Sequence, residues 1–143
     1  MPAKRLKVLF LCTGNSCRSQ MAEGWARALK SDVMEAFSAG THPHGVNPLA
    51  VKVMQEAGVD ISGQTSKSVD AFKSEALDYV VTVCDSVHEH CPVFSVNVKT
   101  IHAGFDDPPR LAAAARTEFD ALPHYRRVRD EIRAFIETLP EGL

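Results

Sequence analysis

Apolar and polar positions form alternating blocks that predict strands and helices in turn. The run Leu6–Cys12 is almost continuously apolar, as in a strand that is covered on both faces. After a short polar stretch, apolar residues recur at spacings of three and four, as on one face of a helix: Met21, Ala22, Trp25, Ala28 and Leu29. The first unit is therefore predicted to be a strand, a tight loop and a helix.

The rest of the chain repeats this alternation. Strands are predicted at residues 33–38, 79–84 and 96–102, and helices from Pro48 to the stop signal at Gly58, at 68–77 and at 111–139 with an interruption at Pro123. This order predicts an α/β fold, a single domain over residues 1–143 with a central parallel sheet of about four strands flanked by helices. Such sheets bind ligands at the carboxyl ends of their strands, where Cys12 and Cys84 both lie.

Composition narrows the class of protein. The 143 residues, 45% hydrophobic and 24% charged, are typical of a globular chain. A formal net charge of −2 excludes a general binder of nucleic acid or anionic membranes. The basic start is followed by too short an apolar run for export, and no stretch approaches the roughly 18 apolar residues of a membrane span, so we expect a cytoplasmic protein. In a reducing cytosol its four cysteines favour catalytic, redox or metal-binding roles.

A candidate anion site lies between the first strand and the first helix. Cys12 is followed by five residues and then Arg18. Loop N–H groups and the positive end of the helix dipole can form a cradle for a tetrahedral oxyanion, and an arginine can clamp two of its oxygens. The predicted binding residues are Thr13, Gly14, Asn15, Ser16, Cys17, Arg18 and Ser19.

Cys12 at the base of this loop is the candidate nucleophile. We expect the cradle to lower the pKa of its thiol, Ser19 to hydrogen-bond the thiolate, and Asn15 or Gly14 to adopt the positive φ of a tight loop. The alternative is a buried cysteine beside a capping turn, which does not explain an arginine and a serine at the start of the helix.

These residues resemble the low-molecular-weight tyrosine phosphatase fold and, within it, the thioredoxin-coupled arsenate reductases. Four segments across the chain carry the resemblance: residues 12–24, 38–40, 106–108 and 127–132. The first segment is specific, as is the pair Cys84 and Cys91, whereas the short segments alone are weak. The resemblance implies an oxidoreductase that converts arsenate to arsenite without a cofactor or a resident metal, with phosphate or sulfate as competing oxyanions.

The resemblance also implies a role for each distal residue. Cys84 attacks the Cys12 sulfur once arsenic is attached to it, Cys91 then attacks Cys84, and thioredoxin reduces the Cys84–Cys91 disulfide. Asp107, which directly precedes a proline, is preferred over Asp106 as the general acid. Cys17 receives no electron-carrying role and is interpreted as part of the loop structure.

The chain departs from the family pattern in two places. Some members bind potassium beside the anion loop with Asn, Glu, Ser, Thr and Asp, and this sequence matches four of these but has Lys67 in place of the aspartate, beside Asn15, Glu23, Ser38 and Thr65. We expect the lysine ammonium to replace the cation and activity to be largely independent of potassium. Ala103 stands where an aromatic residue is common, which affects the packing of the acid loop.

Two other functions remain open at this point. A phosphatase acting on phosphotyrosine or small aryl phosphates would share Cys12, Arg18 and Asp107. It would not need the distal cysteines, and the sequence has Pro-Arg-Leu after Pro108 where such phosphatases have a tyrosine pair. A metal- or metalloid-binding protein would use Cys84, His88, His90 and Cys91. The arginine-rich segment 126–133 is interpreted as a solvated helix face.

Overall fold

Four parallel strands form one sheet in the computed structural model, which describes residues 5–84 and 98–143. The order across the sheet is β2-β1-β3-β4. The strands are β1 (Leu6–Cys12), β2 (Met34–Gly40), β3 (Tyr79–Thr82) and β4 (Lys99–His102). The predicted parallel sheet of about four strands is confirmed, whereas Cys91, His88 and His90 lie outside the described residues.

The central strand explains where the core sits. Val8, Leu9, Phe10 and Leu11 of β1 are each 0% exposed, because a parallel sheet is covered by helices on both faces. In the register, Cys12 pairs with Gly40 of β2 and Leu11 pairs with Thr82 of β3. The carboxyl ends of these three strands therefore meet at one edge of the sheet.

Helices cover this sheet. They are α1 (Arg18–Lys30), α2 (Pro48–Glu56), a 3-10 turn (Val69–Phe72), α3 (Pro108–Leu111) and α4 (Glu118–Glu137). The Asn47 side chain caps α2 by accepting from the backbone N–H groups of Leu49 and Ala50, at 2.8 and 3.3 Å. Across the described residues, no helix combines the length and the hydropathy that a membrane span requires.

Two helix predictions were wrong in extent. The helix expected at residues 68–77 is a single 3-10 turn, because that turn already buries the apolar residues Val69 and Phe72. In the last helical region, α3 and α4 are separate helices, and α4 runs through Pro123 without interruption. The proline removes a donor to the carbonyl of Phe119, which is 80% exposed in the first turn of α4, so water can replace that hydrogen bond.

Candidate active site

The loop between β1 and α1 is held from its outer side by the segment that follows β2. Backbone N–H groups of Thr41, His42 and His44 donate to the carbonyls of Cys12, Thr13 and Gly14, at 3.3, 2.8 and 3.1 Å. In a trans peptide the following N–H points away from such a carbonyl. The N–H groups of Thr13, Gly14 and Asn15 therefore point away from this segment, which is compatible with the predicted oxyanion cradle.

Two glycines allow this close packing. A side chain at Gly40 would overlap the carbonyl of Thr13, and one at Gly14 would overlap the imidazole ring of His44. Asn15 adopts the left-handed backbone conformation, with φ at 45°. This confirms Asn15 as one of the two residues for which a positive φ was predicted. The glycine of the Ser38-Ala39-Gly40 segment thus permits contact between β2 and the loop.

A chain of hydrogen bonds leads to the sulfur of Cys12. The backbone N–H of Lys67 donates to Asn15 Oδ1 at 2.7 Å, and Asn15 Nδ2 donates to Ser19 Oγ at 2.9 Å. Ser19 Oγ lies 2.8 Å from Cys12 Sγ. Because the Ser19 oxygen already accepts from Asn15, its own proton is available to the sulfur, as the sequence predicted.

The expectation of a lowered Cys12 pKa was wrong. Burial raises the pKa of the Cys12 thiol above its ordinary value, and the hydrogen bonds from Ser19 and Asn15 oppose this only in part. Cys12 is 4% exposed, so water contributes little to stabilising a thiolate.

Arg18, the predicted clamp for the anion, makes its hydrogen bond to the protein itself in this structure. Its guanidinium donates to the Phe105 carbonyl at 2.9 Å.

Asp107 faces the loop from the opposite side of the cavity. It is the N-cap residue of α3, but its carboxylate makes no capping hydrogen bond. The first two residues of α3 are Pro108 and Pro109, which have no N–H to donate. The Asp107 carboxylate instead lies 3.8 Å from Arg18 Nη2.

Cys84 reaches the same cavity from the end of β3. The N–H of Val83 donates to the carbonyl of Leu11 at 3.0 Å, which keeps the chain beside β1 past the end of the strand. Cys84 Sγ then lies 3.6 Å from Thr13 Oγ1. Cys12 and Cys84 are both buried free thiols, and both line the cavity at this edge of the sheet.

Cys17 lies in the loop as a buried free thiol. Burial and the nearby Asp107 carboxylate raise its pKa well above the ordinary value. It therefore remains protonated, in agreement with a structural position in the loop.

This arrangement can be compared with known proteins. The sequence pattern of the family described as low molecular weight phosphotyrosine protein phosphatase matches residues 7–143. The chain belongs to this phosphatase family.

Relatives that the chain resembles over most of its length include arsenate reductases. It is 49% identical over 135 residues to the arsenate reductase of Bacillus subtilis, covering 92% of this chain and 95% of that protein. It is 48% identical over 134 residues to that of Halalkalibacterium halodurans, covering 94% of each. The solved structure of an arsenate reductase in the oxidized state aligns with a TM-score of 0.78 at 31% identity, covering 95% of this chain and 97% of that one. The resemblance drawn from the motifs is confirmed.

In this member of the phosphatase family, a lysine lies among the residues that match the potassium site. Lys67 Nζ donates to the Thr65 carbonyl at 2.6 Å and lies 3.8 Å from Glu23 Oε1. Glu23 is 1% exposed, accepts from Ser38 Oγ at 2.6 Å and pairs with Arg27 at 2.9 Å. A buried carboxylate needs a counter-charge, and here two cationic side chains supply it. The Lys67 ammonium thus lies among the matched residues and supplies part of the counter-charge of Glu23.

The cavity has a volume of about 880 Å³, and some of its lining was not predicted. His44, Arg110 and Leu111 line it together with the predicted residues, which include Cys12, Arg18, Cys84 and Asp107. A histidine in a Gly- and Pro-rich loop carries no signal by itself. Its place in the lining follows from the pairing of its backbone with Gly14, which connects residues distant in sequence.

The interpretation of the arginine-rich segment as a solvated face was wrong in part. Arg129 is 13% exposed at its side chain and donates to the Val53 carbonyl at 2.9 Å, while Arg126 pairs with Glu56 at 2.9 Å. Arg127 pairs with Asp106 at 2.9 Å. These contacts fasten α4 to α2 and to the loop that carries Asp107.

Proposed function

We propose that this protein is an arsenate reductase that uses Cys12 as the nucleophile and a relay of Cys12, Cys84 and Cys91 to carry two electrons to arsenic. The single observation that carries the proposal is that Cys12 and Cys84 line the same cavity, with Cys84 Sγ 3.6 Å from Thr13 Oγ1 beside Cys12. A phosphatase has no use for the second thiol. The family relationship to arsenate reductases supports the same conclusion.

In the first step arsenate occupies the cradle, with Arg18 released from the Phe105 carbonyl to bind two of its oxygens. Cys12 Sγ attacks arsenic, and an S–As bond forms as an As–O bond breaks. Asp107 protonates the leaving oxygen, and the thiol proton of Cys12 balances the release of one water. Ser19 hydrogen-bonds the sulfur as it becomes a thiolate, which offsets part of the effect of burial.

In the second step Cys84 Sγ attacks Cys12 Sγ. The S–As bond breaks with its electron pair moving to arsenic, so As(V) becomes As(III) and leaves as arsenite. The proton of the Cys84 thiol passes to an arsenite oxygen, and the two sulfurs form a disulfide. The Thr13 hydroxyl beside Cys84 is placed to orient this sulfur.

Cys91 then attacks Cys84 and returns Cys12 to its thiol form. The resulting Cys84–Cys91 disulfide is reduced by a dithiol protein, which we propose to be thioredoxin in the cytoplasm. This cycle uses thiol chemistry alone and needs no cofactor bound to the protein.

The test is turnover with arsenate, thioredoxin, thioredoxin reductase and NADPH, comparing the unaltered chain with Cys84→Ser and Cys91→Ser. We expect NADPH oxidation to fall to background in both variants. Single turnover without a reductant separates their roles, since Cys91→Ser should still release one arsenite per protein and lose two thiols, whereas Cys84→Ser should do neither.

Other outcomes identify the alternatives. Hydrolysis of an aryl phosphate at equal rates in all three proteins, with no arsenite formed, would establish the phosphatase instead. Arsenite formation with glutathione and glutaredoxin but not with thioredoxin would retain the reductase and replace its electron donor.

A further inference from the structure

The loop that carries Asp107 is attached to α4 by a side chain that the function described above does not use. Arg127 Nη2 donates to Asp106 Oδ2 at 2.9 Å, and Arg127 Nη1 donates to Glu131 Oε2 at 2.8 Å. Glu131 lies one helical turn beyond Arg127, so this second bond fixes the direction in which the guanidinium points. The two bonds together thus hold the Arg127 guanidinium against Asp106.

Neighbouring residues of the acid loop, residues 105–107, are held from different directions. Arg18 on the cavity side bonds the Phe105 carbonyl at 2.9 Å, and the Phe105 ring meets Phe135 of α4 edge-on, with centroids 5.9 Å apart. Arg127 holds the Asp106 carboxylate from the outer side. These contacts pack the loop although Ala103 provides no aromatic ring.

The prolines after Asp107 make this attachment important for the acid. The Asp107 carboxylate makes no capping hydrogen bond to α3: Pro109 has no N–H to offer, and the N–H of Arg110 does not reach it. Its direction therefore depends on the backbone of the acid loop. The neighbouring carboxylate of Asp106 is neutralised by Arg127, which leaves Asp107 to face Arg18.

We propose that Arg127 is a positioning residue that, through Asp106, holds Asp107 where it protonates the oxygen leaving arsenic. The inference rests on the acid role given to Asp107 in the proposed function. Arg127 and Asp106 are 46% and 61% exposed at their side chains, and exposed pairs contribute little to stability. Loss of the ion pair should therefore lower the rate of arsenate reduction and leave the stability of the fold almost unchanged.

The first experiment compares Arg127→Gln, Arg127→Lys and the control Arg126→Gln. Arg126 is the preceding residue on α4 and has a similar exposure, but it pairs with Glu56 of α2. We expect kcat/KM for arsenate to fall about fivefold in Arg127→Gln, since small displacements of a catalytic group slow a reaction. Arg127→Lys should restore part of the loss, and Arg126→Gln should have no effect.

Binding and folding are measured on the same proteins. The Kd for inorganic phosphate should remain within about twofold of the unaltered value, because the anion cradle is unchanged. Weaker phosphate binding in proportion to the lost kcat/KM would overturn the inference. Asp106→Asn removes the other partner of the ion pair and should lower kcat/KM by the same factor. Combining it with Arg127→Gln should lower kcat/KM no further.

The decisive test places Arg127→Gln in an Asp107→Asn background. Arg127→Gln should then have no effect on kcat/KM, because the acid that it positions is already absent. An equal fold-loss in both backgrounds would overturn the inference. If Asp107→Asn alone costs nothing, the acid role in the proposed function fails. If Asp107→Asn is costly but Arg127→Gln has no effect on the unaltered chain, the positioning inference alone fails.

Discussion

The two sides of the cavity are held in different ways. On the anion-loop side, buried side chains hold the loop through hydrogen bonds. Asn15 and Ser19 are each 0% exposed and are bonded to one another. On the acid-loop side, Asp106 is attached through an ion pair that is about half exposed, and the Asp107 carboxylate lies 3.8 Å from its cation. The proposed anion-binding side is thus fixed by buried hydrogen bonds, and the proposed acid Asp107 is held by weaker, partly exposed contacts. Removing buried groups should therefore cost more than removing exposed ones.

Gly40→Ala should give the largest effect, because Gly40 packs directly against the anion loop, which is the more firmly held side of the cavity. The new methyl group would overlap the backbone of the anion loop at Thr13 and Asn15, neither of which is a mobile side-chain end. We expect a loss of about 1–3 kcal/mol in the free energy of unfolding, together with weaker phosphate binding. Urea unfolding and phosphate titration measure the two effects.

Gly14→Ala is the matched comparison for this variant. Its methyl group would meet the ring of His44, which is exposed and can turn away, so the cost should be smaller. Combining it with His44→Ala should recover stability. An equal loss of stability in both glycine variants, with no recovery on adding His44→Ala to Gly14→Ala, would contradict the proposed difference between backbone and side-chain contacts.

Ser19→Ala should rank next, since it removes a buried hydrogen bond to the nucleophile. The bond from Ser19 lowers the Cys12 pKa against the effect of burial, so its loss should raise that pKa further. At neutral pH less thiolate then forms, and we expect kcat/KM for arsenate to fall about tenfold. The rate of Cys12 alkylation by iodoacetamide against pH should move to higher pH; a move to lower pH would contradict the role of this bond.

Thr13→Val should have a smaller effect, confined to the second chemical step. The change preserves side-chain shape but removes the hydroxyl that lies 3.6 Å from Cys84 Sγ. We expect disulfide formation in single turnover to slow about threefold, with little change in phosphate binding, because the anion is bound by backbone N–H groups. Thr13→Ser keeps the hydroxyl and should react at the unaltered rate.

Exchange of sodium for potassium should have the smallest effect. Lys67 Nζ already lies near the Thr65 carbonyl and the buried Glu23 carboxylate, so activity at equal ionic strength should change by less than about twofold. Lys67→Asp should introduce a dependence on potassium. A large potassium-specific increase in the unaltered protein would overturn the proposed replacement.

Much of the local architecture could be predicted because it depends on neighbouring residues. The apolar run at β1 and the spacing of α1 specified the strand, loop and helix that form the anion cradle. The cap at Asn47 likewise specified the start of α2. The extent of the last helices was harder to predict, because Pro123 is accommodated where the surrounding backbone can contact water.

The sequence by itself determined which residues are the candidate reactive groups, since Cys12, Arg18 and Ser19 are brought together by one short loop. Only the tertiary structure decided the raised pKa of Cys12, because burial depends on elements packed from the whole chain. It also decided that Thr13 meets Cys84 and that Arg127 meets Asp106, across 71 and 21 residues of sequence. The physical reason is that local backbone geometry follows from adjacent residues, whereas desolvation and long-range ion pairs depend on how distant segments pack.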